Sequence, residues 1–166
     1  MGNLLFSPSG RIDSVSFMKG ATILIIVGVV LGLLPLLSPA LAALGIIGLV
    51  TIWCWVVLWV KRYHDAGQSG WKSLIPIIIY VIAAVVITSI LTPMFTDPEV
   101  AAAMAEAEAS GDIGAVMSAA MAGGGVTKMG TLIVTLVSAA VSYGIAFVFN
   151  GMIKSDPHDN QFGPAT

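Results

Sequence analysis

The stretch ALAALGIIGLVTIWCWVVLWVKRYHDAGQSGWKSL, Ala40 to Leu74, carries the two features that decide the fold. From Ala40 to Val60 there is no charged side chain, and a helix of about 20 mostly apolar residues is what crossing a bilayer core requires. Immediately after it, Lys61, Arg62, His64 and Asp65 crowd together before Gly67, Ser69, Gly70 and Trp71 lead into the next apolar run. The stretch therefore predicts a membrane span, a polar turn at the membrane boundary, and a second span returning from it.

Three further stretches repeat the charge-free pattern: Gly20–Leu37, Leu74–Pro93 and Thr131–Ile153. Composition agrees, with 57% hydrophobic and 10% charged residues and a mean hydropathy of +0.97, against about 25% charged residues in an average soluble domain. The expected fold is all-α: one membrane domain over residues 1–166, a four-helix bundle with two short external helices between spans three and four. Ser38 and Pro39 leave room only for a tight antiparallel turn between spans one and two. Glycines at 28 and 32, glycines at 45 and 48, and the pairs Ser138/Ser142 and Ala140/Gly144 are candidates for close helix packing, within the chain or between copies. Cys54, the single cysteine, is expected to be a small packing residue.

Basic residues orient such a bundle, because Lys and Arg are retained on the cytoplasmic side. Arg11, Lys19, Lys61, Arg62, Lys72 and Lys154 all fall on one face, while Lys128 stands alone on the other among Asp97, Glu99, Glu106, Glu108 and Asp112. Both ends of the sequence are thus expected to be cytoplasmic. A net charge of −2 with no basic tract gives no reason to expect nucleic acid as a partner.

On the opposite face, residues 96–130 form an Ala- and Met-rich loop. Asp97, Pro98 and Glu99 supply a capping oxygen, a first-turn proline and an acid near the positive end of a helix. That helix is expected to run to Ser110 and end at Gly111, and a shorter one to begin at Asp112 and dissolve at Gly123–Gly125. The loop is expected either to pack on the outer end of the bundle or to dock another protein.

His64 beside Asp65 invites a catalytic or metal reading, and the supply of partners argues against it. A zinc site asks for three or four ligands, and His158 is the other histidine, on the same face. A hydrolytic triad would rest on Ser69 without a nucleophile elbow or a defined oxyanion hole. Proton transport would ask for ionisable groups at membrane depth, where the spans offer Thr51, Tyr80, Thr88, Ser89, Ser138, Ser142, Tyr143 and Asn150 instead. No catalytic residue, metal or cofactor is therefore expected. The alternative is an ordered loop: Lys61 and Arg62 at the negative end of the second helix, Trp59 and Trp71 at the interface, Gly67 and Gly70 for turning, and Ser69 as a cap. Lys61, Arg62, Trp71 and Lys72 are the expected contacts to lipid head groups.

KRYHDAGQSGWKSL resembles the central signature of the domain-of-unknown-function 805 family of small bacterial inner-membrane proteins. SGRIDSVSFMKG and DNQFGPAT resemble that family's N-terminal Gly-Arg segment and its Asn-x-Phe-Gly-Pro ending. Departures are Asp13, Lys72 in place of a second aromatic, and the long Ala-rich loop, which looks like an insertion. The resemblance implies a bacterial inner-membrane protein and brings no activity with it.

Topology puts all three motifs on one face. The expected site is a cytoplasmic structural cap of Arg11, Arg62, His64, Asp65, Gly67, Ser69, Gly70, Trp71, Asn160, Phe162 and Gly163. In it Asp65 pairs with Arg11 or Arg62, and the tail folds back at Asn160 and Gly163. The expected function is a non-enzymatic accessory or structural subunit that binds and stabilises or regulates a larger inner-membrane complex. Its expected partners are membrane lipids and another integral membrane protein, met through residues 96–130. A small oligomeric channel or transporter is the alternative.

Overall fold

The computed structural model describes residues 2–121 and 125–166. The chain is an all-α membrane bundle whose helices are α1 (Gly2–Leu5), α2 (Ser14–Leu33), α3 (Ile47–Asp65), α4 (Leu74–Met94), α5 (Pro98–Ser110), α6 (Ile113–Met121) and α7 (Lys128–Met152). Together with flanking 3-10 turns, α2, α3, α4 and α7 make four segments long and apolar enough to cross a membrane. Most of their apolar side chains face outward, among them Ile26, Val30, Ile78, Val85 and Val148. That is the reverse of a water-soluble bundle and follows from having lipid as the solvent.

Helix α2 starts earlier than hydropathy alone predicts, because Asp13 caps it by accepting from the Ser16 backbone N–H at 2.6 Å. The second span is also displaced. Pro39–Ile46 forms 3-10 turns before α3, and α3 continues through Lys61, Arg62, Tyr63 and His64 to Asp65. The charged knot is therefore mostly helix, with the loop confined to the residues after it. Gly111 ends α5 at φ +74 and Asp112 precedes α6, as the sequence predicts. The expected end of α6 at Gly123–Gly125 falls mostly outside the described residues.

Packing follows an open order. α2 packs on α3 and on α7, and α4 packs on α7, whereas α3 and α4, consecutive in the chain, stay largely apart. The small residues are used unevenly. A Cβ on Gly32 would lie 3.1 Å from the Thr135 side chain and one on Gly20 would lie 2.7 Å from Leu58, so α7 and α3 approach α2 closely there. Gly28, Gly45, Gly48 and Gly144 have nothing so near, and the expected Gly28/Gly32 seam is only half engaged.

The core lies toward the end that carries both ends of the sequence, around Phe17, Leu24, Cys54, Leu58, Trp59 and Ala146. Trp59 packs on Phe17 with ring centroids 4.4 Å apart and planes tilted by 51°, and is buried, so the α2/α3 contact surrounds its ring. A further difference is α1, which lies along α3 with the Trp53 indole N–H donating to the Phe6 carbonyl at 3.2 Å. Trp53 stands about 18 Å from Asp65 at 1.5 Å per residue, so the leading residues run back from the cap along a membrane helix.

At the other end, Thr96 and Val126 form an antiparallel bridge, with Thr127 N–H donating to Phe95 O at 2.8 Å and Asp97 N–H to Gly125 O at 3.0 Å. This staple closes the base of α5 and α6, which pack chiefly on each other.

Candidate functional site

Asp65 is the centre of the polar cap. It ends α3, where no side-chain atom reaches solvent, and its carboxylate is divided among three donors. Arg11 Nε donates to Oδ1 at 3.1 Å, Arg62 Nη1 to Oδ2 at 2.8 Å, and the Thr166 hydroxyl to Oδ1 at 2.5 Å. Arg62 lies one turn before Asp65, which is the spacing that puts both on one helix face. Arg11 arrives from the segment ahead of α2, held there by Ile12 N–H donating to Lys61 O.

Each guanidinium then ties a different part of the chain. Arg11 donates to the carbonyls of Asp65 (3.2 Å), Asp156 (2.5 Å) and His158 (2.8 Å), gathering the tail. Arg62 donates to Asn150 Oδ1 at 2.6 Å, to the Ser155 hydroxyl at 3.2 Å and to the Ile153 carbonyl. Asn150 passes the connection on, its amide donating to the Ser14 hydroxyl at 2.8 Å. One network thus joins the start of α2, the end of α3 and the end of α7. Charge-assisted bonds are the strong kind, and two buried cations sharing one carboxylate need the carbonyls as well.

The tail closes over this network. The Asn160 amide donates to His64 O at 3.1 Å, and Asn160 and Gly163 exchange backbone hydrogen bonds around a turn in which Gly163 adopts φ +143. Phe162 stacks on His64 with centroids 3.8 Å apart and planes 4° apart. His64 Nδ1 lies 3.2 Å from Gly10 O; a carbonyl only accepts, so Nδ1 carries a proton, and Nε2 is an acceptor whenever the ring is neutral. Gly67 turns the chain at φ +68, where a Cβ would also meet Asp156 Oδ2 at 3.4 Å. Gly70 is held against α3, since a Cβ there would lie 3.0 Å from Val60 Cγ1 and 3.1 Å from His64 Nε2. Ser69 caps the Gly70–Ser73 turn.

Two cap carboxyls outside the spans sit below the ordinary aspartate range. Hydrogen bonds from the Ser16 side chain and backbone lower Asp13, and the His158 backbone N–H, with Asn160 and Arg11 behind it, lowers Asp156.

All eleven residues expected in the cap occur at this end of the bundle, but Trp71 stands apart, 81% exposed. The expected lipid contacts are corrected at two positions. Lys61 and Arg62 are buried at 5% and 2% exposure, and the Arg62 guanidinium is turned inward to Asn150 and Asp65. Lys72 and Trp71 remain outward. His158 is exposed and does not join His64. In the sequence Asn150 stands among the polar residues of span four; its place one turn before Lys154, at the end of the span that carries the motifs, is the signal that points to the cap. Thr166 and Ser155 carried none.

Below the cap, the separation of α3 from α4 leaves room. A cavity of about 320 Å³ at the centre of the bundle is lined partly by hydroxyls of Thr51, Tyr80, Thr135, Ser138 and Ser142. A second, more apolar cavity of about 210 Å³ lies between α3 and α4 over α7 and shares Ile52, Trp55, Tyr80 and Ser142 with the first. A third opens beside the cap at His64, Ser69, Trp71 and Gln161, and meets the second at Val56.

No curated protein and no solved structure matches this chain. One family model, described as "protein of unknown function (DUF805)", matches residues 5–164, nearly the whole chain and all three motifs that build the cap. The protein is a member of the DUF805 family.

Proposed function

We propose that the protein is a non-enzymatic accessory subunit of a larger assembly in the bacterial inner membrane, docked through α5 and α6. The observation that carries this reading is the helix pair itself. Among its described residues none is buried, Ile113 and Met117 are 76% and 60% exposed, and the pair packs chiefly on itself at the end of the bundle. Isolated helices of this length are marginal in water, and Met-bearing faces suit adaptable contacts. The cap supports the same reading from the other side, because its carboxylate and guanidinium groups are spent on internal bonds.

In this reading the cap faces the cytoplasm, which the six basic residues at that end support, and α5–α6 faces the periplasm. The staple at Thr96 and Val126 suggests the test: replacing residues 98–125 by a short Gly-Ser turn leaves the bundle closed. Gently extracted membranes are then run on native gels. The full chain is expected in a larger species and the shortened one alone; a lone chain in both refutes the proposal. A channel is the second reading, favoured by the hydroxyl-lined central cavity, and solute flux from reconstituted vesicles tests it.

A further inference from the structure

Two of the cavities follow α3 on the side of α4 and of the turn before it, and both are lined by Val56. From Ile52 at the deep end to His64 at the mouth they follow α3 for about 18 Å, about the depth of one leaflet of a hydrocarbon core about 30 Å thick. Their sides open outward, where Ile52 and Val81 are 60% and 52% exposed. The polar Gly70–Ser73 turn, seated on Val60, separates the two helices at the mouth. Polarity changes from one to the other. The inner cavity is lined by Ile52, Trp55, Val56, Ile77 and Val81, and the mouth adds Ser69, Gln161, His64 and the exposed Trp71 to the apolar Val60 and Leu74.

We propose that this gap binds one membrane phospholipid with an amine head group, an acyl chain lying between α3 and α4 and the head at the His64–Trp71 mouth. An apolar cavity between α3 and α4 under a mouth that carries polar side chains matches an amphiphile. The mouth selects the head. No Lys or Arg is among its lining residues, and Lys72, exposed beside Trp71, stands at its edge, so a purely anionic head finds a cation only outside the mouth. The Gln161 side-chain carbonyl is an acceptor there, and His64, whose Nδ1 is committed to Gly10 O, adds Nε2, beside Gly70, as a second when its ring is neutral. An exposed indole face adds the attraction of a π system for an ammonium group. The inference goes beyond the accessory role and does not depend on α5–α6.

The test uses the full chain in nanodiscs of equal phosphatidylethanolamine and phosphatidylglycerol, transferred to mild detergent and weighed by native mass spectrometry. One phosphatidylethanolamine per chain is expected to survive transfer. Val81→Trp, at the open rim, and Ser142→Leu, on the floor, are each expected to lower its retention about tenfold, the equivalent of about two methylenes left unburied. Gln161→Leu is expected to keep a lipid while losing the amine preference. Val81 is exposed on α4, about 12 Å along the helix from Ser73, so this variant remains informative if Ser142→Leu fails to fold. Retention of no lipid, retention of phosphatidylglycerol instead, a lipid-free dimer filling the gap, or unchanged retention in Val81→Trp would each overturn the proposal.

Discussion

Replacing Asp65 by Asn keeps the shape of the side chain and removes the one negative charge between two buried guanidiniums. Removing one partner of a buried ion pair costs about 3–5 kcal/mol, chiefly because the other partner stays buried and uncompensated. Both arginines here keep carbonyl acceptors, Asp156 and His158 for Arg11 and Asn150 and Ile153 for Arg62, so the lower end, about 3 kcal/mol, is expected. For a chain of this size that lowers the unfolding midpoint by about 6–12 °C. The assay is thermal unfolding in nanodiscs followed by circular dichroism and tryptophan emission. Arg11→Gln should be destabilising alone, yet should add less on top of Asp65→Asn, with a coupling of about 1–2 kcal/mol. A loss under about 1 kcal/mol for Asp65→Asn, or strict additivity of the two, would refute the account of the cap as a charge-centred network.

Other consequences follow from single positions. Gly67→Ala places a side chain at φ +68 and against Asp156, and should cost about 1–2 kcal/mol, read as faster hydrogen exchange of residues 156–163 with α7 unaffected. Gly130→Ala would put a Cβ 2.3 Å from Phe95 Cβ; that atom is the root of its side chain, so the backbone must move, and a midpoint lower by several degrees with a separated α4/α7 junction is expected. Asp13, whose folded value is depressed by Ser16, contributes its cap fully above the ordinary aspartate range. That contribution is lost as pH falls from there through the lower folded value. Asp13→Ala should therefore cost about 1 kcal/mol at neutral pH and progressively less in acid, and an equal cost at both would contradict the capping role.

The spans were legible because lipid imposes length and charge rules that act residue by residue: twenty or so apolar positions, no charge, and basic residues gathered on one face. The ends of α5 were legible for a similar reason, since Asp97, Pro98 and Gly111 act on their own backbone. The three motifs of the cap could be placed at one end of the bundle from the parity of the spans alone. What the order of residues did not contain was the direction of each side chain. Arg62 lies at a membrane boundary in sequence and looks like a lipid contact, yet a rotation of α3 about its axis turns it toward Asn150 on a helix that begins 66 positions later in the chain, at Lys128. Trp59 is turned inward by the same rotation. The gap between α3 and α4 is likewise a property of the packing. Helices joined by a short loop are expected to touch, but α7, arriving last, takes the contact with both α2 and α4. Local physics thus determined which segments cross the membrane and which end gathers the polar motifs. Only the tertiary arrangement decided which charges are spent inside the cap and which surface was left open, because both depend on contacts between residues the sequence holds far apart.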